Sequence, residues 1–149
     1  YLKNNVVSEP KHDERIRNLL EHTEILTLLE KLYEKNEELV IASGNESIQV
    51  EKGKVTEDEK TRLRKFFRDV KCEQIYILKD GDVRCLRIIF PIVKFGNIAG
   101  DVLAQYIPEK DKDKYVAQYH GEISELGKEF RANWYYEVYS YPDCMEEET

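Results

Sequence analysis

The sequence lacks the features that identify a membrane-spanning chain or a familiar enzyme. No stretch holds about 18 or more consecutive apolar residues, so the sequence predicts no transmembrane segment. It contains no G-x-S-x-G, H-E-x-x-H, G-x-G-x-x-G or P-loop motif. We therefore predict no catalytic residues, no metal site and no cofactor, and we expect a non-enzymatic protein. An enzyme that uses His120 with nearby acidic residues is a third possibility behind two binding functions described below.

Cysteine is too scarce for a disulfide framework. The three cysteines are Cys72, Cys85 and Cys144. In the hairpin predicted below, Cys72 and Cys85 lie four positions apart along the strands. That separation is roughly 13 Å at the usual rise per residue, which is too long for a disulfide. Cys144, near the C-terminus, could reach either of the other two, but we expect free thiols.

Acidic residues outnumber basic residues. The 23 Lys and Arg residues against 30 Asp and Glu residues give a net charge of −7. An acidic surface repels phosphate backbones and anionic lipids, so we expect no nucleic-acid partner.

Two amphipathic helices are predicted before the main run of strands. Apolar residues recur at three- and four-residue spacing over residues 11–36, which predicts one helix with a core-facing stripe. A second helix begins at Thr56, because Thr56-Glu57-Asp58-Glu59 has the form of a capping box. Its basic residues could bind phosphate. We interpret them instead as a response to the helix dipole, since acidic residues begin the helix and basic ones end it.

The strands are predicted mainly after this second helix. Residues 72–107 are rich in β-branched and aromatic side chains, and Asp80-Gly81 and Gly96-Asn97 divide them into three antiparallel strands. Residues 134–141 form a final strand. A short strand is also indicated near residues 48–50. We predict one α+β domain over residues 1–149, frayed at 1–9 and 143–149, in which two helices pack on an antiparallel sheet of four or five strands.

Both faces of the predicted first hairpin are apolar. Ile75, Ile77, Leu86, Ile88 and Phe90 share the face that we assign to the core. Tyr76, Leu78, Val83, Cys85 and Ile89 share the other face. A strand pair of this kind is covered on both sides, or one side is open to a ligand or a partner.

Residues 109–114 are predicted to form a solvated loop. Asp111, Asp113 and Glu122 have the spacing of acids in a calcium loop, but Val116 stands where that loop requires glycine. No calcium site is therefore predicted.

Leu126-Gly127 followed by Trp134-Tyr135-Tyr136 resembles the ending of small exported or lipid-anchored domains from Gram-positive bacteria that lack an assigned function. In those domains a helical start leads to a sheet that an "LG…WYYY" strand closes. This chain inserts residues 128–133 between the two parts. The resemblance implies an extracellular or surface-anchored setting, with a cytoplasmic one still open, and it assigns no catalytic residue.

Two binding functions are expected. The first is recognition of a protein or a cell-envelope component through a tyrosine-rich sheet surface, since Tyr joins a large apolar ring to a polar tip. The candidate residues are Tyr76, Tyr106, Tyr135, Tyr139 and Tyr141. The alternative is a small-molecule sensor in which Arg84 or Arg87 anchors a carboxylate, as a planar guanidinium does well.

Overall fold

The computed structural model shows an α+β fold with an antiparallel sheet, and it describes residues 9–44, 47–91, 93–95, 98–118 and 127–142. The helices are α1 (Glu9–Leu20), α2 (Thr23–Lys35), α3 (Glu57–Val70) and α4 (Glu109–Gln118). The strands are β1 (Val40–Ser43), β2 (Ile48–Lys52), β3 (Gln74–Asp80), β4 (Val83–Ile89), β5 (Val93–Phe95), β6 (Ile98–Tyr106), β7 (Lys128–Arg131) and β8 (Trp134–Pro142). Within these ranges no helix has the length and apolar character needed to cross a bilayer.

The sheet is larger than the four or five strands that the sequence predicts. Seven described strands lie in the order β2-β1-β3-β4-β6-β8-β7, and the short β5 also pairs with β6. The strand count was too low because β1 and β7, each only four residues long, were not predicted, and β7 lacks an apolar run. A short strand of mixed polarity gives little periodic signal.

Strands β4 and β5 occupy the same side of β6 in succession. Ile89 pairs with Leu103, and Val93 pairs with Gly100 further along the same strand. Pro91 lies at the interruption between them, where its missing N–H costs no ladder hydrogen bond.

The single N-terminal helix predicted over residues 11–36 is two helices, so that prediction is wrong. The backbone turns at Glu21 and His22, between α1 and α2. His22 Nδ1 donates to the Asn18 carbonyl oxygen at 2.9 Å, and His22 Nε2 lies 3.3 Å from Asp69 Oδ2 on α3. The contact of His22 with α3 joins the break to a third helix, and spacing within the segment does not reveal it.

The predicted loop at residues 109–114 is also wrong, because these residues begin α4. The helix carries acidic residues, Glu109 and Asp111, in its first turn, as the helix dipole favours. Tyr115 is its one buried residue. A helix with a single buried side chain has no apolar stripe, which is why periodicity missed it.

Helices α1, α2 and α3 all pack on one face of the sheet, which we call the inner face. It carries Ile75 and Ile77 from β3 and Leu86 and Ile88 from β4, as predicted. The core there includes fully buried residues from every layer: Leu19, Leu26, Leu29, Leu32, Leu63, Phe66, Ile75, Leu86, Ile88 and Trp134.

The first hairpin turns one residue later than predicted. Asp80 pairs with Val83 and Leu78 pairs with Cys85, so the turn residues are Gly81 and Asp82. Gly81 has φ of 65°, a value that glycine adopts without strain at the first central position of a tight turn. Each residue of β3 therefore pairs with a residue of β4 two positions further along the chain than predicted. Because side chains alternate between the two faces, a shift of two leaves each side chain on its predicted face.

The predicted capping box at the start of α3 is confirmed. Thr56 Oγ1 accepts from the Glu59 amide at 3.1 Å, and Glu59 Oε1 accepts from the Thr56 amide at 2.9 Å. Two amides that the helix leaves without an internal partner are satisfied in this way.

We expect Thr56→Ala to lower the free energy of unfolding by about 1 kcal/mol, because it removes the side-chain acceptor of this cap. Urea denaturation followed by circular dichroism measures the change. Thr61→Ala is the matched control, since its hydroxyl only donates to the Glu57 carbonyl within the same helix. We expect that control to change stability by less than about 0.5 kcal/mol, and an equal loss in both variants would contradict the role of the cap.

Candidate functional site

The second face of the sheet, which we call the outer face, is covered in part by α4. Val83, Cys85, Ile107, Tyr115 and Tyr135 form a separate small buried cluster there. Among the described residues, one helix of ten residues covers this face, whereas three helices cover the inner one. The described part of the chain therefore covers the outer face less than the inner face.

Polar side chains meet beneath α4 on this outer face. Arg87 Nε donates to Gln105 Oε1 at 3.1 Å, and Arg87 Nη2 donates to the Tyr115 hydroxyl at 3.3 Å. Gln105 Nε2 donates to the same hydroxyl at 3.1 Å. Gln105 and Tyr115 are fully buried and Arg87 is half-buried. Three elements, β4, β6 and α4, thus hold one guanidinium in a fixed position.

Tyr76 and Glu137 extend this group. Tyr76 pairs with Arg87 across β3 and β4, and its hydroxyl interacts with the guanidinium. Glu137 of β8 is buried. Burial raises the pKa of the Tyr115 hydroxyl, and the Glu137 carboxylate adds to that rise. We call these five residues the outer-face cluster: Tyr76, Arg87, Gln105, Tyr115 and Glu137.

The charge of Arg87 is not balanced by a close acid among the described residues. Its hydrogen bonds go to the neutral groups of Gln105, Tyr115 and Tyr76, and no described carboxylate lies within 4.0 Å of it. A charge removed from water is usually paired with an opposite charge, since desolvation is otherwise costly. The guanidinium also has more N–H donors than these three contacts use. The cluster can therefore accept an anionic group.

Arg84, the other predicted anchor, lies on the inner face and has a structural role. Its Nη2 donates to the Tyr33 carbonyl at 2.9 Å and to the Asn36 carbonyl, at the C-terminal end of α2. Its guanidinium carbon lies 4.0 Å from the centre of the Tyr33 ring. A cation at this position satisfies the last carbonyls of the helix and complements its dipole. Of the two predicted anchors, Arg87 is therefore the one on the outer face.

The five tyrosines of the predicted surface do not share one face. Tyr106 lies on the inner face, 9% exposed, with its ring centre 5.3 Å from that of Trp134. Tyr135 is on the outer face but only 5% exposed, with Lys112 of α4 beside its ring. Tyr76 is half-buried on the outer face. Tyr139 and Tyr141 continue β8, and their side chains lie outside the described part of the structure.

Cys72 and Cys85 are both free and buried, as predicted. Burial raises the pKa of both thiols, that of Cys85 to about 11. A thiol of this kind is protonated at neutral pH and is a poor nucleophile. Cys144 and His120 lie outside the described residues. In the described ranges, no group of three or more His, Cys, Asp or Glu side chains is arranged to hold a metal ion.

Sequence reasoning missed Gln105, Tyr115 and Glu137. Gln105 and Glu137 occupy strand positions that alternate with apolar residues, where a polar residue is normally solvent-facing. Tyr115 belongs to α4, whose first six residues were predicted as a loop. A signal for that helix exists in Pro108 followed by acidic residues at the start of residues 109–114.

Comparison of the chain with protein-family models, curated proteins and solved structures finds no match in any of the three. The resemblance to exported Gram-positive domains, and the exported setting that it implies, therefore stay predictions.

We expect the stability of the protein to fall between about pH 9 and pH 11, in part because of Cys85. Burial raises the pKa of this thiol from its ordinary value of 9.0 to about 11. The thiol therefore loses its proton at a lower pH in the unfolded chain than in the folded chain. The contribution of Cys85 to the free energy of unfolding is complete below pH 9 and is lost as the pH rises to 11. Its full size, for a pKa rise from 9.0 to about 11, is roughly 3 kcal/mol.

Urea denaturation at about pH 8 and about pH 10.5 measures this effect. Cys85→Ala removes the thiol and should show the smaller loss of stability between the two conditions. The buried tyrosines and Cys72 titrate in both proteins, so the difference between them isolates Cys85. Equal losses in the two proteins would contradict the prediction.

Proposed function

We propose that this protein is a non-enzymatic binding domain that holds a small carboxylate-bearing molecule on the outer face of its sheet. Arg87 is the anchor for the carboxylate. The observation that carries the proposal is the guanidinium of Arg87, held by Gln105 and Tyr115 and without a described carboxylate within 4.0 Å.

The surroundings of Arg87 suit an organic acid better than a bare inorganic ion. Leu78 and Ile89 are half-buried on the same face, and the half-buried ring of Tyr76 lies beside the guanidinium. A ligand that joins a carboxylate to an apolar body would contact Arg87 and Tyr76 together with either Leu78 or Ile89, which lie on opposite sides of this pair. Small-molecule sites commonly combine an apolar lining with a few fixed polar groups in this way.

The Arg87 side chain is also preorganised for binding a ligand. Two strands and one helix position Arg87 through hydrogen bonds of 3.1 and 3.3 Å, so binding requires little further ordering of the side chain. A guanidinium fixed in advance loses less conformational entropy when it binds a carboxylate in a bidentate manner.

Binding rather than catalysis is further supported by the character of the nearby thiol. Cys85 lies with its sulfur 3.9 Å from Gln105 Oε1, next to the anchor. Burial raises its pKa to about 11, so it does not supply a thiolate at neutral pH.

We expect amino acids or short aliphatic carboxylates to raise the melting temperature of the wild-type protein, and Arg87→Gln to abolish that rise. Thermal-shift measurement against a panel of such acids tests this. Arg17→Gln, an exposed arginine on α1, is the matched control and should respond as the wild type does. If no compound in the panel stabilises the wild type, the proposal fails.

Gln105→Glu provides an independent test that keeps Arg87. The new carboxylate would lie where Gln105 Oε1 now accepts from Arg87, and would occupy the guanidinium from within the protein. We expect this variant to fold and to lose its response to the acids. An unchanged response would contradict Arg87 as the anchor.

A second candidate function is binding of a protein or cell-envelope partner through the uncovered part of the outer face. The observation that favours it is the row of half-buried side chains beside α4, namely Tyr76, Leu78 and Ile89. Apolar side chains that are partly open to solvent on one sheet face are typical of contact surfaces.

Co-sedimentation with purified Gram-positive cell walls tests this second function. We expect the wild type to sediment with the walls and Leu78→Ala to sediment less. Leu20→Ala removes an exposed leucine at the end of α1 and should behave as the wild type. Wild-type protein that remains in the supernatant, or an equal loss in both variants, would count against an envelope partner.

A further inference from the structure

A cavity of about 350 Å³ lies between α3 and the ends of β1 and β2. Its lining includes the hydroxyl-bearing Ser43 and Ser47, three basic side chains and an aromatic ring: Arg64, Arg68, Lys71 and Phe67. None of the described residues that line it is acidic. Three cations around one cavity form a local concentration of positive charge in a chain whose net charge is −7.

Two of the three cations at the cavity have no described acidic partner. Arg64 and Lys71, which line it, have no described carboxylate within 4.0 Å. Lys60 and Lys65, which lie outside it, pair with Glu57 at 3.1 Å and with Asp69 at 2.9 Å. The described protein therefore leaves the charge of Arg64 and Lys71 without a close opposite charge.

Arg68 has only a weak acidic contact. Its Nε lies 3.8 Å from Asp69 Oδ1, and its side chain is 72% exposed. Such a contact leaves the guanidinium able to rotate toward a ligand, because a solvent-exposed ion pair contributes little stabilisation.

Arg64 is held over the cavity by a neutral partner. Its Nε donates to Ser47 Oγ at 3.1 Å, and its side chain is half-buried. This contact leaves the two terminal nitrogens of the guanidinium available, in the geometry that binds two oxygens of a phosphate at once.

The helix dipole does not account for this arrangement. It explains basic residues in the last turn of α3, but Arg64 lies in the middle of the helix. The dipole places about half a negative charge at the C-terminal end, beside the cavity, and three cations outweigh it.

We propose that this cavity binds the phosphate group of a small organic phosphate. Arg64, Arg68 and Lys71 contact the phosphate oxygens, and the hydroxyls of Ser43 and Ser47 donate to them. Phe67 and the partly buried Ile48 form an apolar floor for the organic part of the ligand. The site is separate from the outer-face cluster, because α3 packs on the inner face of the sheet.

Titration of the ¹⁵N-labelled protein with phenyl phosphate and with inorganic phosphate, followed by NMR, tests the proposal. We expect saturable shifts of the Ser43, Ser47 and Arg64 amides, with a Kd of about 1 mM or tighter for phenyl phosphate. Inorganic phosphate should bind more weakly, since it makes no contact with the apolar floor. Equal affinities would overturn the organic phosphate as the ligand, and shifts that do not saturate would overturn the site.

Arg64→Gln should weaken phenyl phosphate binding by about tenfold or more, because it removes the charged fork from the cavity. Arg62→Gln is the matched control: it makes the same change on the same helix at an exposed residue outside the cavity. It should bind as the wild type does. Equal weakening in the two variants would overturn the site in favour of a general effect of charge. Arg87→Gln should leave phosphate binding unchanged, which separates this test from that of the outer face.

Discussion

The structure depends on the need to cover a sheet that is apolar on both faces. The inner face receives α1, α2 and α3, whose buried side chains form one continuous core with those of the strands. In the described part of the chain the outer face receives one helix, α4, which buries a single residue of its own, Tyr115. The described cover of the two faces is therefore unequal, and Tyr76, Leu78 and Ile89 stay half-buried on the outer face.

The way α4 covers the outer face decides its chemistry. A helix with an apolar stripe would have enlarged the small buried cluster of this face. Tyr115 instead brings a hydroxyl to Arg87 and Gln105, so buried polar groups satisfy one another there. Such groups tolerate burial only when hydrogen-bonded. The guanidinium charge itself needs an opposite charge, and this need links the packing of α4 to the proposed carboxylate ligand.

The two proposed sites differ in how the protein holds its cations. Arg87 is fixed by hydrogen bonds under a helix, which suits the selective binding of one small acid. Arg64, Arg68 and Lys71 stand around an open cavity on α3, which suits the higher charge of a phosphate. Because β-sheet and core lie between the outer face and α3, each site can be disabled without altering the other.

Sequence patterns were enough to predict the α+β class, the cap of α3 and the side of the sheet on which each residue of the first hairpin lies. The cap is local, and alternation along a strand assigns faces even when the register moves by two residues. Only the tertiary structure decided the break at His22, the presence of α4 and the separate roles of Arg84 and Arg87. These depend on contacts between segments distant in sequence, such as Arg84 with the end of α2 and Arg87 with Tyr115. Such contacts leave no periodic pattern in the chain.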